Sequence, residues 1–176
     1  MELPLKGIRI LDLSTMYPGP LCTMMLADFG AEVIRVEPPK GGDLWRLSQP
    51  RVNGLGMPYL QVNRNKKSLC LNLKEPEARE IFYKLVRGAD VVVEQYRPGV
   101  AARLGIDYET VSRLNPRLVY CSICPGYQTV PPAERLHRVD GNLELSRYPA
   151  ITFPIPAHGD NLLFLFVRHD GHLLKI

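Results

Sequence analysis

An open, doubly wound α/β sheet with parallel strands is the fold class that this sequence predicts, and three observations predict it. The first is a unit over residues 5–39 in which an apolar run, a Pro/Gly break, a helix-length segment and a second apolar run follow one another. The second is a repeat of that unit ending in Ala89-Asp90-Val91-Val92-Val93-Glu94. Its density of β-branched residues suits a strand covered on both faces. The third is the spacing over residues 5–123, where about five strand patterns alternate with helical ones, as right-handed parallel crossovers require.

In chain order, Gly7-Ile8-Arg9-Ile10-Leu11-Asp12-Leu13 reads as the first strand. Tyr17-Pro18-Gly19-Pro20 breaks it, and Pro20 stands as the first residue of a helix. Leu21, Met24, Met25, Leu26 and Phe29 recur at helical spacing before the terminating Gly30. Ala31-Glu32-Val33-Ile34-Arg35-Val36-Glu37 is a second strand, stopped by Pro38-Pro39. Residues 40–65 lack a sustained period and hold Gly41-Gly42, Pro50, Gly54, Gly56 and Pro58. A long loop is expected there, anchored by Trp45 and available for a ligand or subunit contact. Three cations in Asn63-Arg64-Asn65-Lys66-Lys67-Ser68 precede the strand Leu69-Cys70-Leu71-Asn72-Leu73.

Pro76 and Glu77 open the next helix, which carries Ile81, Leu85 and Val86 on one face and ends at Gly88. After the buried strand, Arg97-Pro98-Gly99 turns the chain, short helices cover 99–104 and 108–114, and Arg117-Leu118-Val119-Tyr120-Cys121-Ser122-Ile123 is the last strand. Two parts are therefore expected: a domain over 1–123 and a divergent, Pro-rich tail over 124–176. Within the tail, apolar runs at 162–167 and 172–176 flank Asp170-Gly171 as a hairpin signal.

The totals narrow the function classes. At 176 residues the chain has the size of one domain, or of a domain with part of another. It is 45% hydrophobic and 23% charged, with no apolar run of bilayer length, and Met1-Glu2-Leu3-Pro4 is no secretory start. The expectation is a cytoplasmic protein without a membrane partner. A net charge of +4 from scattered Lys and Arg suits a phosphate-bearing small ligand, and no nucleic-acid partner is expected. Of Cys22, Cys70, Cys121 and Cys124, the last two form a lone CxxC inside a strand pattern. They are read as reduced thiols, and no metal site is expected.

The turn Ser14-Thr15-Met16-Tyr17-Pro18-Gly19-Pro20 has no GxGxxG, and no Walker lysine motif, GxSxG elbow or paired Glu/His motif occurs elsewhere. Helix amides at Gly19-Pro20 still suit an anion.

Several blocks in fixed order point to a family. They are Gly7-Ile8-Arg9-Ile10-Leu11-Asp12-Leu13-Ser14, Gly19-Pro20, Leu26-Ala27-Asp28-Phe29-Gly30-Ala31-Glu32-Val33-Ile34-Arg35-Val36-Glu37, Gly42-Asp43, Asn63-Arg64-Asn65-Lys66-Lys67-Ser68, Val93-Glu94-Gln95-Tyr96-Arg97-Pro98-Gly99 and Asn115-Pro116-Arg117-Leu118-Val119-Tyr120-Cys121-Ser122-Ile123. Together they resemble the class III coenzyme A transferases, which include formyl-CoA and carnitine CoA transferases and the α-methylacyl-CoA racemases. The resemblance covers residues 5–123 almost without gaps. It implies a Rossmann-like CoA-binding domain with helices on both faces of the sheet, and full-length chains interlocked as a homodimer. Acyl-CoA and a carboxylic acid are the implied substrates, with no tightly bound cofactor. The implied CoA-binding positions are Tyr17, then Leu71, Asn72, Leu73 and Lys74, then Gln95, Tyr96 and Arg97, and Arg103. Backbone groups at strand ends suit the amide-rich pantetheine, while Lys74, Arg97 and Arg103 suit phosphates. Where some members carry a basic residue over the adenine, Pro38 stands here.

By the same resemblance, the transferases use an Asp that attacks the thioester and becomes an aspartyl-CoA intermediate. The racemases use a His and an Asp to move the α-proton. Both place a key residue after a turn of the form G-Y-G-Q-T-G-P, and this chain reads Pro125-Gly126-Tyr127-Gln128-Thr129-Val130-Pro131-Pro132, without two of the glycines. Ala133-Glu134-Arg135 matches; Val139 then takes the nucleophile's ungapped position, and Asp140-Gly141-Asn142 has the pattern one residue late. Asp140 is the candidate nucleophile, with a solvated Asp-Gly turn as the alternative. The resemblance stops at Leu143 and family members are longer, so an incomplete, weakly active CoA transferase is expected. Racemase-like epimerisation of acyl-CoA and a non-catalytic CoA-binding domain are the alternatives.

Overall fold

The computed structural model describes residues 2–125, 150–153 and 163–168. The elements run β1 (Arg9–Leu13), α1 (Pro18–Asp28), β2 (Glu32–Glu37), a 3₁₀ turn (Leu44–Leu47), β3 (Arg51–Val52), β4 (Leu55–Gly56), α2 (Met57–Val62), β5 (Lys66–Cys70), α3 (Pro76–Val86), β6 (Val91–Glu94), α4 (Val100–Leu104), α5 (Tyr108–Leu114), β7 (Val119–Pro125), β8 (Ala150–Phe153) and β9 (Leu163–Arg168). The large sheet has the order β5-β2-β1-β6-β7-β9-β8. Its first five strands pair in parallel, as expected, while β9 runs antiparallel to β7 and β8 antiparallel to β9. The chain order reverses between β1 and β6, which is the switch point where ligands of open α/β sheets bind.

Strand alternation decides which side chains meet which helix layer. On one face Ile10, Val33, Val93, Cys121 and Ile123 pack against Ala27 of α1. On the other, Leu11, Leu13, Val36, Val92 and Tyr120 pack with Phe82 and Val86 of α3 and Val111 of α5. Helices thus cover both faces, and each large side chain buried there contributes about 1.5–3 kcal/mol.

Several elements depart from the sequence expectation. Helix α1 starts at Pro18, not Pro20, because a proline in the first turn forfeits no helical hydrogen bond. Its buried residues are Gly19, Pro20, Thr23, Met24 and Ala27, whereas Met25 and Phe29 are exposed. Small side chains bring this helix close to the sheet, so its longest apolar side chains need not all face inward. In α3 the stripe is Phe82 and Val86, one turn apart, and Ile81 is exposed on the flank. Strand β5 lies three residues before its expected position. It is an edge of the sheet, so Lys66 and Lys67 can leave it for carboxylates on other strands. Leu71 and Leu73 follow the strand yet remain buried.

Residues 40–65 fold into the 3₁₀ turn, the β3–β4 ribbon and α2. Gly56 permits this fold, since a Cβ there would lie 2.1 Å from the Trp45 carbonyl oxygen. Strand β7 starts at Val119 and extends to Pro125, and β9 takes up most of the apolar run at 162–167. β9 pairs with β7 and β8. The proposed Asp170-Gly171 turn and Asp140 fall outside the described residues. Among the described residues no helix is long and apolar enough to cross a membrane.

Candidate functional site

Because the five strands are parallel, the segments that leave them reach the same end of the sheet. These are residues 14–17 after β1, 38 onward after β2, 71–74 after β5 and 95–97 after β6. At the switch point the Gly19 amide donates to Gln95 Oε1 across 3.2 Å, joining the start of α1 to the end of β6. A Cβ on Gly19 would lie 2.2 Å from Ser14 Cβ and 2.8 Å from Gln95 Oε1. Only glycine fits this approach. Nearby, an open cleft of about 440 Å³ is bordered by Glu37, Pro38, Gly42, Arg46, Ser68 and Cys70.

Beneath these loops lies a buried charge network of three carboxylates and three cations: Asp12, Glu37 and Asp43 with Arg35, Arg46 and Lys66. Asp12 and Arg35 face each other directly in the β1–β2 register, on the α1 side of the sheet. Asp12 Oδ2 accepts from Thr23 Oγ1 at 2.7 Å, Lys66 Nζ at 3.0 Å and Arg35 Nη1 at 3.3 Å. Its Oδ1 accepts from the Ser14 amide at 3.0 Å. Burial pushes the Asp12 carboxyl up, but the Lys66 and Arg35 charges and two hydroxyl donors hold it below the ordinary value. Burial pulls Lys66 down against the attraction of Asp12. Glu37 is likewise pushed up by burial yet held low overall by Arg46 and Arg35. Arg46 donates to both Glu37 oxygens and lies 4.0 Å over the Tyr59 ring.

Asp43 ties three segments together. It accepts from Arg35 Nη2, from the Trp45 amide at 2.9 Å and from the Met16 amide at 2.9 Å. The Tyr17 and Trp45 rings then meet at 5.5 Å between centroids. Trp45 does help anchor the insert, as expected, but as one part of this arrangement.

The residues proposed for CoA divide by what they offer. Tyr17 is 49% exposed in the loop after β1. Leu71 and Leu73 are buried and present only backbone, and much of that is engaged. The Leu71 amide donates to the Glu37 carbonyl, the Asn72 carbonyl accepts from Glu75, and Arg79 takes the Leu73 and Lys74 carbonyls. Gln95 holds Gly19, and the Tyr96 amide donates to Glu94 at 2.6 Å. Burial pushes the Tyr96 phenol up to about 12. Burial also raises the Glu94 carboxyl, with only the Ser122 hydroxyl and the Tyr96 amide opposing it. Lys74, Arg97 and Arg103 are exposed, and their charged head groups make no hydrogen bond or ion pair among the described residues. Arg103 Nη1 lies 3.9 Å from where a Gly99 Cβ would sit, so its head group returns to the Arg97 turn. Cys121 is buried in β7, which raises its thiol well above the ordinary value.

A family model described as CoA-transferase family III matches residues 5–144. The chain belongs to CoA-transferase family III. It is 45% identical over 133 residues to a mouse succinyl-CoA:glutarate CoA-transferase, covering 75% of this chain and 30% of that relative. It is 38% identical over 147 residues to an Escherichia coli formyl-CoA:oxalate CoA-transferase, covering 80% of this chain and 35% of the relative. A crystal structure of a CaiB/BaiF family protein from Brucella suis superposes with a TM-score of 0.69 at 37% identity, covering 77% of this chain and 37% of that one. The chain spans about a third of the length of the curated relatives it matches.

In this CoA-transferase family III chain, sequence reasoning missed Asp12, Arg35, Asp43 and Lys66 as a structural unit. The signal was present, since Asp12 interrupts Ile10-Leu11 and Leu13, and Arg35 interrupts Val33-Ile34 and Val36. A charge inside a run of buried strand residues requires a buried partner.

Proposed function

We propose that the end of the sheet where β1, β5 and β6 terminate binds CoA and its thioesters, as the nucleotide-binding part of an enzyme that moves CoA between carboxylic acids. The observation that carries this is a set of three exposed cations whose head groups have no hydrogen-bond or ion-pair partner among the described residues: Lys74 after β5, Arg97 after β6, and Arg103 folded back toward Arg97. Such groups suit the phosphates of CoA. Glu37 supports the same reading. In dinucleotide-binding sheets an acid at the end of the second strand holds the ribose diol. Here that acid is engaged by both Arg46 nitrogens and lies beside Arg35, which leaves it ill-suited to an NAD ribose.

In the proposed reaction a carboxylate, assigned to Asp140, attacks the thioester carbonyl. The thioester carbonyl becomes part of a mixed anhydride, and CoA leaves as thiolate. The thiolate then attacks the enzyme-side carbonyl, giving the aspartyl-CoA thioester and releasing the first acid. An incoming acid repeats the sequence in reverse. Succinate, glutarate and oxalate form the starting panel of acids, by similarity to the relatives' names. The loss of two expected glycines at Tyr127 and Val130 predicts slow turnover by this polypeptide, because developing oxyanion charge requires close backbone donors. A cytoplasmic location, a homodimer and a boundary near residue 123 complete the proposal. Assays with formyl-, succinyl- and 2-methylacyl-CoA, run beside Asp140→Ala, test it. Weak CoA exchange that the substitution abolishes supports the assignment; activity unaffected by the substitution removes Asp140 from the mechanism.

A further inference from the structure

Resting on the CoA reading above, we infer that Asp43 is a positioning residue for the ligand, acting through the Tyr17–Trp45 pair. The side chain is fully buried and lies in the insert after β2, yet it bonds backbone in two different loops. Its Oδ2 accepts from Met16, in the loop after β1, and its Oδ1 from Trp45, in the 3₁₀ turn, each at 2.9 Å. Arg35, itself 1% exposed, fixes the carboxylate from below, and Asp12 in turn fixes Arg35. One carboxylate thus sets the separation of two segments whose next residues are aromatic or flank an aromatic ring.

Met16 shows that the loop needs this hold. It adopts φ 63°, a left-handed conformation that residues other than glycine, Asn and Asp rarely adopt, and is 43% exposed. Little apolar burial keeps it there; the bond from its amide to Asp43 does. The residue that follows is Tyr17, which is half exposed and whose ring rests tilted against Trp45 at 5.5 Å. Release of Met16 therefore frees Tyr17, and release of the Trp45 amide removes the surface Tyr17 rests on. The distortion passes to Tyr17, a proposed CoA contact, although Asp43 is not among the residues assigned to CoA.

Trp45 is the single tryptophan of the chain, so its emission reports this arrangement directly. In the 176-residue protein, Asp43→Asn is expected to shift Trp45 emission to the red and increase its quenching by acrylamide before any ligand is added. Coenzyme A titrated calorimetrically should bind about tenfold more weakly or worse, with the far-UV CD spectrum unchanged. Hydrogen exchange on the unsubstituted protein gives a second readout: the Met16 amide should be protected despite its exposed side chain. A folded Asp43→Asn protein with wild-type emission, or with CoA affinity within twofold of wild type, overturns the inference, as does exchange of Met16 at the free-loop rate. If the unsubstituted protein binds no CoA, the functional reading fails, while emission and exchange still decide whether Asp43 positions the loop.

Discussion

Replacing Arg35 with leucine removes the cation on which the buried network converges. Its guanidinium is 1% exposed and contacts Asp12 at 3.3 Å and Asp43 more closely, with Glu37 at 3.7 Å. After the substitution Asp12 retains Lys66 and Glu37 retains Arg46, but Asp43 loses its charged partner while buried to the same degree. Removing one member of a buried ion pair costs about 3–5 kcal/mol, a large part of the roughly 5–15 kcal/mol that holds a domain folded. At a urea dependence of about 2 kcal/mol per molar, the unfolding midpoint should fall by about 2 M. The assay is urea denaturation of the full chain followed by far-UV CD. Lys67→Met provides the comparison, since Lys67 is 70% exposed and its bond to Glu32 is worth below about 1 kcal/mol. The effect should also depend on pH. Asp12 and Glu37 are held below their ordinary values of 3.8 and 4.5, so their contribution is present above those values and is lost as pH falls through the lower folded values. Arg35→Leu should flatten that acid limb. A midpoint shift no larger than that of Lys67→Met, or an unchanged acid limb, would refute the reasoning.

Three further outcomes are expected. Gly19→Ala forces a Cβ to within 2.2 Å of Ser14 Cβ, and should cost about 1–3 kcal/mol in thermal or urea unfolding while weakening CoA binding. Glu94→Gln should act oppositely with pH: the Glu94 carboxyl is raised, so its contribution is complete below the ordinary value and lost as pH rises through the folded value. The amide should therefore gain stability relative to wild type at pH 8 compared with pH 4, measured by melting at each pH. Lys74→Ala, Arg97→Ala and Arg103→Ala should each reduce CoA affinity by a few-fold or more, with less loss of affinity on adding salt than wild type shows. Dephospho-CoA titrated in parallel identifies which cation meets the ribose phosphate.

The parallel sheet was legible because β1, β2 and β6 are dense in Ile, Leu and Val, and prolines or glycines mark the ends of the first two and of the helices between them. Where burial is not the organising force, the signal fades. β5 is an edge strand whose lysines leave for Glu32 and Asp12, so its pattern reads as a charged turn. The face of α3 was misjudged by one residue because Ile81 and Phe82 are both apolar, and only packing against the sheet chooses between them. The insert at 40–65 is held by Asp43, Glu37, Arg46 and Tyr59 through contacts between distant residues, which no local period encodes. Of the proposed site, the strand-end location was legible from the order of elements. That Leu71 and Leu73 offer backbone alone, and that much of it is already engaged, depends on the turn that follows β5.

Isothermal titration of the purified 176-residue protein with coenzyme A, and separately with NADH, tests the central claim most directly. The head groups of Lys74, Arg97 and Arg103, unpartnered among the described residues, and the engagement of Glu37 predict a heat of binding for CoA that weakens as salt is raised, and none for NADH. Binding of NADH without binding of CoA would contradict the account.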